Sequence, residues 1–365
     1  MGIGADLGRE LKILADTSVD VIFNLCESLC GESRLQPCFA GYLELLGIPF
    51  TGAPAEAITL AIDKLKTKAL LSAAGIPTPE YYHVDQILPE GAGADEEEAG
   101  EAGEAGIVAG EAGVAAGEAG AAAGTGATPR SERTEAELPP PSSFPLIVKP
   151  AQEDGSIGIE QSSVAENRSQ LISLLKKSTG RFGRHILVER YIAGREISVG
   201  LLGNDCIEVL PLVEATFAAQ PAGYRPIITY QVKWEPESGE HQRFRRICPA
   251  PLAPDLAKYI EVICRKAYQL IGLSGYGRID IRLETDTSRP YIIDVNANPD
   301  LTGYGYGSSL DNSATLPLAA QVAGITYPEL IDRIIKCALL RRTKSAMPWG
   351  AESALQQSAA STAQA

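Results

Sequence analysis

The segment from Gly277 to Asp300 constrains the fold most, because its pattern predicts a β-hairpin that carries acidic side chains on one face. From Arg278 to Glu284, apolar residues alternate with charged ones, which is typical of a half-buried strand. A turn-rich interval separates this run from a second one, Tyr291 to Asn296, so we expect the two strands to pair antiparallel.

The register of this hairpin decides which polar groups meet. If Glu284 faces Pro290, Asp280 lies opposite Asp294, and Asn296 lies opposite Arg278 on the same face. The apolar pairs expected in this register are Leu283 with Tyr291, Ile281 with Ile293, and Ile279 with Val295.

Two facing carboxylates need a counter-charge. At about 4 Å they would repel by roughly 4 kcal/mol at an effective dielectric constant near 20. Asp280, Asp294 and the amide oxygen of Asn296 are hard ligands of the kind that hold Mg²⁺ against substrate phosphates. The alternative is a solvated polar face on which the two acids diverge into water.

Composition excludes several classes of protein. The chain has 365 residues and is 45% hydrophobic, which is enough for two or three small domains with a real core. No apolar run approaches the roughly 18 to 20 residues that span a bilayer, and the N-terminus lacks a signal-peptide pattern, so we expect a cytoplasmic protein without a membrane segment. The seven cysteines form no CxxC pair and are expected to be structural thiols rather than zinc ligands.

The negative charge of the chain is concentrated in one stretch. Between Asp85 and Ser143 there are 13 acids and 2 arginines, a net charge of −11 out of the total of −14. Neither part of the chain offers a basic patch, so nucleic-acid binding is not expected. Residues 84–143 are rich in Gly, Ala and Glu, and we expect them to form a disordered acidic insert.

The first 83 residues predict a small α/β domain with a parallel sheet. The pattern indicates a helix over residues 6–16, a strand from Val19 to Leu25, a helix from Pro37 to Leu46 and a long helix from Glu56 to Ala74. Because only a helix precedes the first strand, we expect that one βα unit is missing upstream. Lys64 and Lys68 share a face of the long helix, and on most helices such a pair is solvated.

A lysine and a glycine loop follow the insert. An apolar strand from Phe144 ends at Lys149, and the next loop contains Gly155, Ser156 and Gly158. Backbone amides of such a loop approach phosphate oxygens closely, while the lysine supplies a point charge. The signal is weak alone, and the loop is not a Walker A motif because GK[ST] is absent.

Two glutamates stand at the ends of strands predicted next. A helix is expected from Glu166 to Lys177, followed by a strand ending at Glu189 and another beginning at Glu196. Glu189 is placed to accept from an exocyclic amine and Glu196 from ribose hydroxyls; the alternative is that both are surface residues. The remaining predicted elements are strands Glu208 to Val213 and Ile227 to Val232, the latter leading into Lys233, and a helix from Asp255 to Ile271 that packs beneath the hairpin.

Taken together, the motifs resemble the D-alanine–D-alanine ligase branch of the ATP-grasp superfamily. The matching segments, in order, are GIPFTG, DKLKTK with AAGIPTP, PLIVKP with EDGSIGI, ILVERYIAGREISV, GYGRIDIRL and DVNANP. The resemblance implies an α/β fold of α+β lobes with the nucleotide between two of them. The expected division is residues 1–83, the insert 84–143, a central lobe 144–199, a C-terminal lobe 200–340 and a flexible tail 341–365.

The resemblance also implies roles for individual residues, and it implies ATP and two Mg²⁺ ions as cofactors, with Mn²⁺ able to replace them. Arg278, Lys149 and Lys233 would be catalytic, with Arg278 steadying an acyl phosphate. Asp280, Asp294 and Asn296 would bind the metal. The residues expected to contact the nucleotide are Lys64, Lys149, Gly155, Ser156, Gly158, Glu189, the backbone near Ile192, Glu196 and Lys233.

The activity implied is amide-bond formation between a small carboxylate substrate and an amine substrate through an acyl phosphate. Several departures from the family pattern put D-alanyl-D-alanine as the product in doubt. Gly155 stands where these ligases have serine, Trp234 where they have tyrosine, Asp294 where they have glutamate, and Asp300 where they have glycine. A further glutamate of the family is expected upstream of Met1. Two other functions stay open, namely nucleotide binding without turnover and ligation to a peptide or protein. A homodimer is one expected assembly.

Overall fold

The computed structural model describes residues 6–87, 107–110, 139–183, 185–218, 221–302 and 314–345. Among these residues, none of the helices combines the length and the apolar character that crossing a membrane requires.

The N-terminal part is mainly helical. It contains α1 (Leu7–Ala15), α2 (Gln36–Leu46) and α3 (Ala55–Ile62). The strand predicted from Val19 to Leu25 is wrong, because this segment forms only an isolated parallel bridge between Ile22 and Phe50. The parallel sheet expected here is therefore reduced to one bridge among the described residues.

The long helix predicted from Glu56 to Ala74 is two helices, because Asp63 interrupts it. Asp63 adopts an extended conformation, and its carboxylate accepts a hydrogen bond from the Lys66 amide, which caps α4 (Lys64–Ala73). The break directs Lys64 and Lys68 inward: they are 7% and 2% exposed. The interpretation of this lysine pair as solvated is therefore wrong.

The first sheet is antiparallel and has five strands in the order β2-β1-β5-β3-β4. Its core lies between the strands and α5 (Arg168–Phe182), where Leu171 and Leu175 are fully buried. The strands are β1 (Tyr81–Ile87), β2 (Ile107–Gly110), β3 (Leu146–Pro150), β4 (Val164–Ala165) and β5 (Ile186–Arg190).

The acidic insert contains one element that its composition does not predict. Ile107–Gly110 pairs antiparallel with β1, and β1 itself continues to Ile87, beyond the expected start of the insert at residue 84. These four residues, Ile-Val-Ala-Gly, are the most β-prone in the stretch, and β1 gives them a partner edge. The remainder of the insert up to residue 138, and the tail beyond residue 345, lie outside the described residues.

The second sheet is antiparallel, with the order β11-β10-β6-β8-β9 and β7 paired with β6. Its strands are β6 (Gly194–Leu202), β7 (Glu208–Val209), β8 (Val213–Phe217), β9 (Phe244–Ile247), β10 (Tyr276–Glu284) and β11 (Pro290–Asn296). The domain boundary expected between residues 199 and 200 falls inside β6, which belongs entirely to this sheet. The first sheet thus ends at Arg190.

Two predicted strands of this region are wrong. Glu208 to Val213 is divided between β7 and β8, and Ile227 to Val232 leads instead into the short helix α6 (Tyr230–Trp234). Thr229 caps α6 by accepting from the Val232 amide, a local hydrogen bond that competes with strand pairing. A second short helix, α7 (Gly239–Arg243), follows.

The helix predicted beneath the hairpin is confirmed. α8 (Pro254–Ile271) buries Ile263, Cys264 and Ala267 in the same cluster as Ile279 and Val295. The fold ends with α9 (Thr315–Val322) and α10 (Tyr327–Ser345).

The hairpin register is confirmed at its acidic end and wrong beyond it. Asp280 pairs with Asp294 and Arg278 with Asn296, as expected. A β-bulge follows Asp280, so Ile281 pairs with Ile292 and not with Ile293. The extra residue keeps both Ile292 and Val295 buried in the core.

Candidate functional site

The two hairpin carboxylates are neutralised by different cations. Asp280 is buried and accepts from Arg278 Nε at 2.9 Å, from Ser198 Oγ at 2.7 Å and from Asn296 Nδ2 at 3.0 Å. Burial raises the pKa of Asp280, but the charge and hydrogen bonds of Arg278 act in the opposite direction, and the pKa lies below its ordinary value. Asp294 lies 3.7 Å from Lys64 Nζ, and its side chain is 24% exposed.

This arrangement answers the question of what relieves the repulsion between the acids. Arg278 and Lys64 each supply a positive charge to one of the two acids. The oxygens of Asp294 and of the Asn296 amide nevertheless suit a hard cation. The described residues contain no group of three or more His, Cys, Asp or Glu side chains that could hold a metal.

Lysines on three different elements line the same cleft. Lys64 at the start of α4 donates to the Glu153 carbonyl at 2.7 Å. Burial lowers the pKa of Lys64, yet the carboxylates of Asp294 and Asp154 raise it above its usual value. Lys233 on α6 is half-buried, and burial together with the nearby Arg278 lowers its pKa.

Glu189 lies between two lysines at the back of the cleft. Its Oε1 pairs with Lys149 of β3, and its Oε2 lies 2.6 Å from Lys68 Nζ of α4. Burial raises the pKa of Glu189, but Lys149 and Lys68 outweigh this effect and lower it. Sequence analysis placed Lys149 and Glu189 at the ends of two apolar strands but did not predict their contact. It interpreted Lys68 as solvated, because the interruption of the helix at Asp63 was not recognised.

The glycine loop is hydrogen-bonded to α6 and to the segment that precedes it. Gly155, Ser156 and Gly158 all have positive φ, and Ser156 Oγ donates to the Ile228 carbonyl at 2.9 Å. Trp234 Nε1 donates to the Gly155 carbonyl at 2.8 Å. The loop and α6 therefore form two walls of the cleft that are bonded directly to each other.

The candidate nucleoside contacts converge on Arg282, which sequence reasoning missed. Arg282 Nε donates to the Ile192 carbonyl at 3.0 Å, and its Nη1 lies 3.2 Å from Glu196. Burial raises the pKa of Glu196, although Arg282 opposes the shift. Arg282 belongs to the alternating strand pattern, but only the pairing of β10 with β6 shows that it faces Glu196.

Asp154 is a further residue of the site that sequence reasoning missed. Its place in the EDGSIG motif could have identified it. Its Oδ1 accepts from the Gly155 amide at 2.7 Å. Desolvation of the Asp154 carboxylate raises its pKa, but the positive charges of Lys64 and Lys233 outweigh this effect and lower the pKa below its ordinary value. A pocket beside this carboxylate is lined by Lys64, Asp294 and Asn296, so one lysine predicted to contact phosphate and two predicted metal ligands share one cavity.

Comparison with known proteins agrees with this geometry. Residues 121–336 match the family model of the D-ala D-ala ligase C-terminus. The chain is 28% identical to the D-alanine–D-alanine ligase of Desulforamulus reducens over 92% of this chain and 86% of the relative. It is 26% identical to that of Carboxydothermus hydrogenoformans over 93% of this chain and 88% of the relative.

The fold is also that of these ligases. The crystal structure of D-alanine–D-alanine ligase from Bacillus anthracis complexed with ATP superposes with a TM-score of 0.59 at 20% identity, covering 93% of this chain and 84% of that one. The two-sheet arrangement is thus the ATP-grasp fold. The chain belongs to the D-alanine–D-alanine ligase family and is an ATP-dependent ligase that forms an amide bond.

Proposed function

We propose that the protein joins two small amino acids in a Mg²⁺- and ATP-dependent reaction in the cleft between the two sheets. One observation carries this proposal: three cations and two carboxylates from four different elements form one cluster. Lys64 lies 3.7 Å from Asp294, Arg278 lies 2.9 Å from Asp280, and Lys233 lies near Arg278 and both carboxylates. A cleft with this many cations is suited to a polyphosphate and to the charge that develops during phosphoryl transfer.

Asp280, Asp294 and Asn296 would hold the metal. Two facing carboxylates and a neighbouring amide oxygen fit Mg²⁺, and Mn²⁺ in its place, because these ions prefer oxygen ligands and retain positions for phosphate oxygens. When bound, the metal supplies charge neutralisation to the phosphates. Arg278 already bonds to Asp280 and so fixes the direction in which that carboxylate faces.

The nucleotide would lie along the residues that join the two sheets. Lys64, Lys149 and Lys233 would contact phosphates, and the amides of Gly155, Ser156 and Gly158 would close over them. Glu189 would accept from the adenine amine, the backbone at Ile192 would read the adenine edge, and Glu196 would accept from the ribose. Support comes from the burial of Glu189 and Glu196, which are 2% and 8% exposed.

The reaction needs positioning and charge rather than a strong base. A carboxylate oxygen of the first substrate attacks the γ-phosphorus of ATP, the bond to the bridging oxygen breaks, and ADP leaves. The amine of the second substrate attacks the acyl carbon, phosphate leaves with the bonding electrons, and the amine loses a proton. Arg278 would stabilise the oxyanion that forms in the second step. Burial lowers the pKa of Arg278, but the carboxylates of Asp280 and Asp154 outweigh this effect and raise it, so the guanidinium stays charged.

The substrates are small amino acids, and D-alanine is the first to test because the relatives are D-alanine–D-alanine ligases. Gly155 and Trp234 contact each other at the loop, so the indole takes the space of a larger loop residue. Asp300 adds a carboxylate beside the end of β11. We therefore propose that the enzyme accepts an amine substrate with a different or additional polar group more readily than D-alanine.

The test is ADP formation with pairs of amino acids, with the product identified by mass spectrometry. We expect ADP release that depends on Mg²⁺ and on the amino acids, with one dipeptide formed per ADP. Lys149→Ala should abolish it, whereas Lys177→Ala, which alters an exposed lysine on α5, should not. Mg²⁺-dependent binding of ATP without any amide product across the panel would contradict the proposal.

The two alternative functions are not favoured. The relatives support neither nucleotide binding without turnover nor ligation to a protein. They are D-alanine–D-alanine ligases, and their similarity extends over most of this chain. The cytoplasmic location and the homodimer stay predictions.

A further inference from the structure

Lys68 is a buried cation to which neither the motifs nor the proposed reaction gives a role. Its side chain is 2% exposed and lies 2.6 Å from Glu189 Oε2. Its Nζ also donates to Thr78 Oγ1 at 2.9 Å. Lysines are almost never buried this completely unless they are paired, so its place at the back of the cleft needs an explanation.

The charges around Lys68 are unequal. Lys68 and Lys149 share one carboxylate, Glu189, so two cationic side chains pair with a single anionic one. Burial lowers the pKa of Lys68, while the Glu189 carboxylate opposes this shift. An excess charge in a low-dielectric site is costly unless an anion arrives. A single lysine would suffice for a carboxylate whose only role was to be neutralised.

Lys68 is also linked to the acidic hairpin. The Thr78 hydroxyl that accepts from Lys68 donates to the Ile292 carbonyl of β11 at 2.8 Å. The Ile292 amide in turn donates to the Pro77 carbonyl at 2.8 Å. Lys68 is therefore fixed to an element other than the sheet that holds Lys149 and Glu189, and it stays in place if Lys149 moves.

We propose that Lys68 is a positioning residue that keeps Glu189 charged and correctly oriented when Lys149 leaves it for the phosphates of ATP. Departure of Lys149 frees Glu189 Oε1 for the adenine amine, while Lys68 remains on Oε2. Without Lys68, Lys149 becomes the only counter-ion of a buried carboxylate and is retained there. This inference rests on the phosphate and adenine roles proposed above for Lys149 and Glu189.

The direct test compares Lys68→Met with Lys66→Met, which alters an exposed lysine on the same helix. Lys68→Met should raise the Kd for Mg-ATP at least about ten-fold and raise KM for ATP more than it lowers kcat. Its thermal midpoint should stay close to that of the native protein, because the variant leaves a balanced Lys149–Glu189 pair. A lower thermal midpoint with unchanged ATP affinity would show that Lys68 is only structural and would overturn the inference.

A double-mutant cycle with Glu189→Gln keeps the inference testable if Lys68→Met folds poorly, because the double variant removes both charges. If Lys68 acts through Glu189, Lys68→Met should change the Kd for ATP less than about two-fold in the Glu189→Gln background. An undiminished effect in that background would contradict the inference. Because the readout is ATP binding, native protein that binds ATP but forms no amide would refute the proposed function and leave this test intact.

Discussion

Asp280 and Asp294 lie directly opposite each other on β10 and β11, and each is paired with its own cation. Arg278, two residues away on the same strand, holds Asp280, whereas Lys64 of α4 faces Asp294. Each acid thus has a cationic partner, and Asp294 is the more exposed of the two.

Asp294→Asn should separate metal binding from folding. Asp294 is partly exposed, lies 3.7 Å from Lys64 and accepts from the Val295 amide at 3.1 Å. An asparagine oxygen can accept the same hydrogen bond, so the change should shift the thermal midpoint by less than about 3 °C. Loss of an anionic ligand should lower kcat at least about 100-fold and raise the Mg²⁺ concentration needed for half-maximal rate. Asp286→Asn, in the exposed turn of the same hairpin, is the control and should be silent. An unchanged Mg²⁺ requirement in Asp294→Asn would remove this residue from the metal site.

Gly158→Ala should destabilise the protein more than Gly155→Ala. Both glycines have positive φ, which costs an alanine about 1 kcal/mol. At Gly158 the added Cβ would also lie 2.7 Å from Phe182 Cε2 and 2.9 Å from Pro150 Cγ, whereas at Gly155 the nearest atom is Trp234 Cζ2 at 3.5 Å. Urea unfolding should show a loss of about 2 to 4 kcal/mol for Gly158→Ala. Equal losses at the two positions would argue against the close packing at Gly158.

Trp234 should report nucleotide binding by its fluorescence. The chain has two tryptophans, Trp234 and Trp349, so Trp349→Phe leaves one probe at the end of α6, bonded to Gly155 of the glycine loop. Saturating Mg-ATP should change its emission, because the loop to which it donates would close over phosphates. Trp234→Phe removes that hydrogen bond, worth about 1 kcal/mol, and should raise KM for ATP about five-fold. Emission that is indifferent to ATP would show that the loop does not respond to the nucleotide.

The pH dependence of stability should contain a contribution from Glu284. Hydrogen bonds from Thr287 and then Arg190 lower the pKa of Glu284 below its ordinary value of 4.5. A carboxylate with a lowered pKa in the folded state stabilises the fold above pH 4.5 and loses this contribution as the pH falls through the lower, folded-state value. Glu284→Gln should therefore be less stable than the native protein at pH 7, by under about 1 kcal/mol since the pair is partly exposed. The difference should shrink as the pH falls below 4.5 and through the lowered pKa of the folded state. If the stability difference between Glu284→Gln and the native protein were the same at every pH, it would come from packing and not from the charge of Glu284.

The sequence was most informative where periodicity and residue chemistry coincide. The alternation in β10 and the turn before β11 predicted the pairing of Asp280 with Asp294, and the amphipathic pattern predicted α8. The bulge after Asp280 was not predictable, because inserting Ile293 leaves the apolar pattern nearly unchanged.

The missed features depend on tertiary contacts or on competing local bonds. Helix propensity continues through Asp63, and only its capping of α4 breaks the helix, which is why the burial of Lys68 was not foreseen. Arg282 lies on a recognised strand, but its contact with Glu196 exists only because β10 pairs with β6. Thr229 likewise turns a β-prone segment into α6.

The most direct test of the account is a crystal structure with Mn²⁺ and a non-hydrolysable ATP analogue, using the anomalous signal of the metal. We expect peaks within about 2.0 to 2.3 Å of oxygens from Asp280, Asp294 and Asn296, each also contacting the triphosphate, with Lys149 displaced from Glu189 toward the phosphates. Metal peaks elsewhere, or a triphosphate bound away from the β10–β11 hairpin, would contradict the central claim.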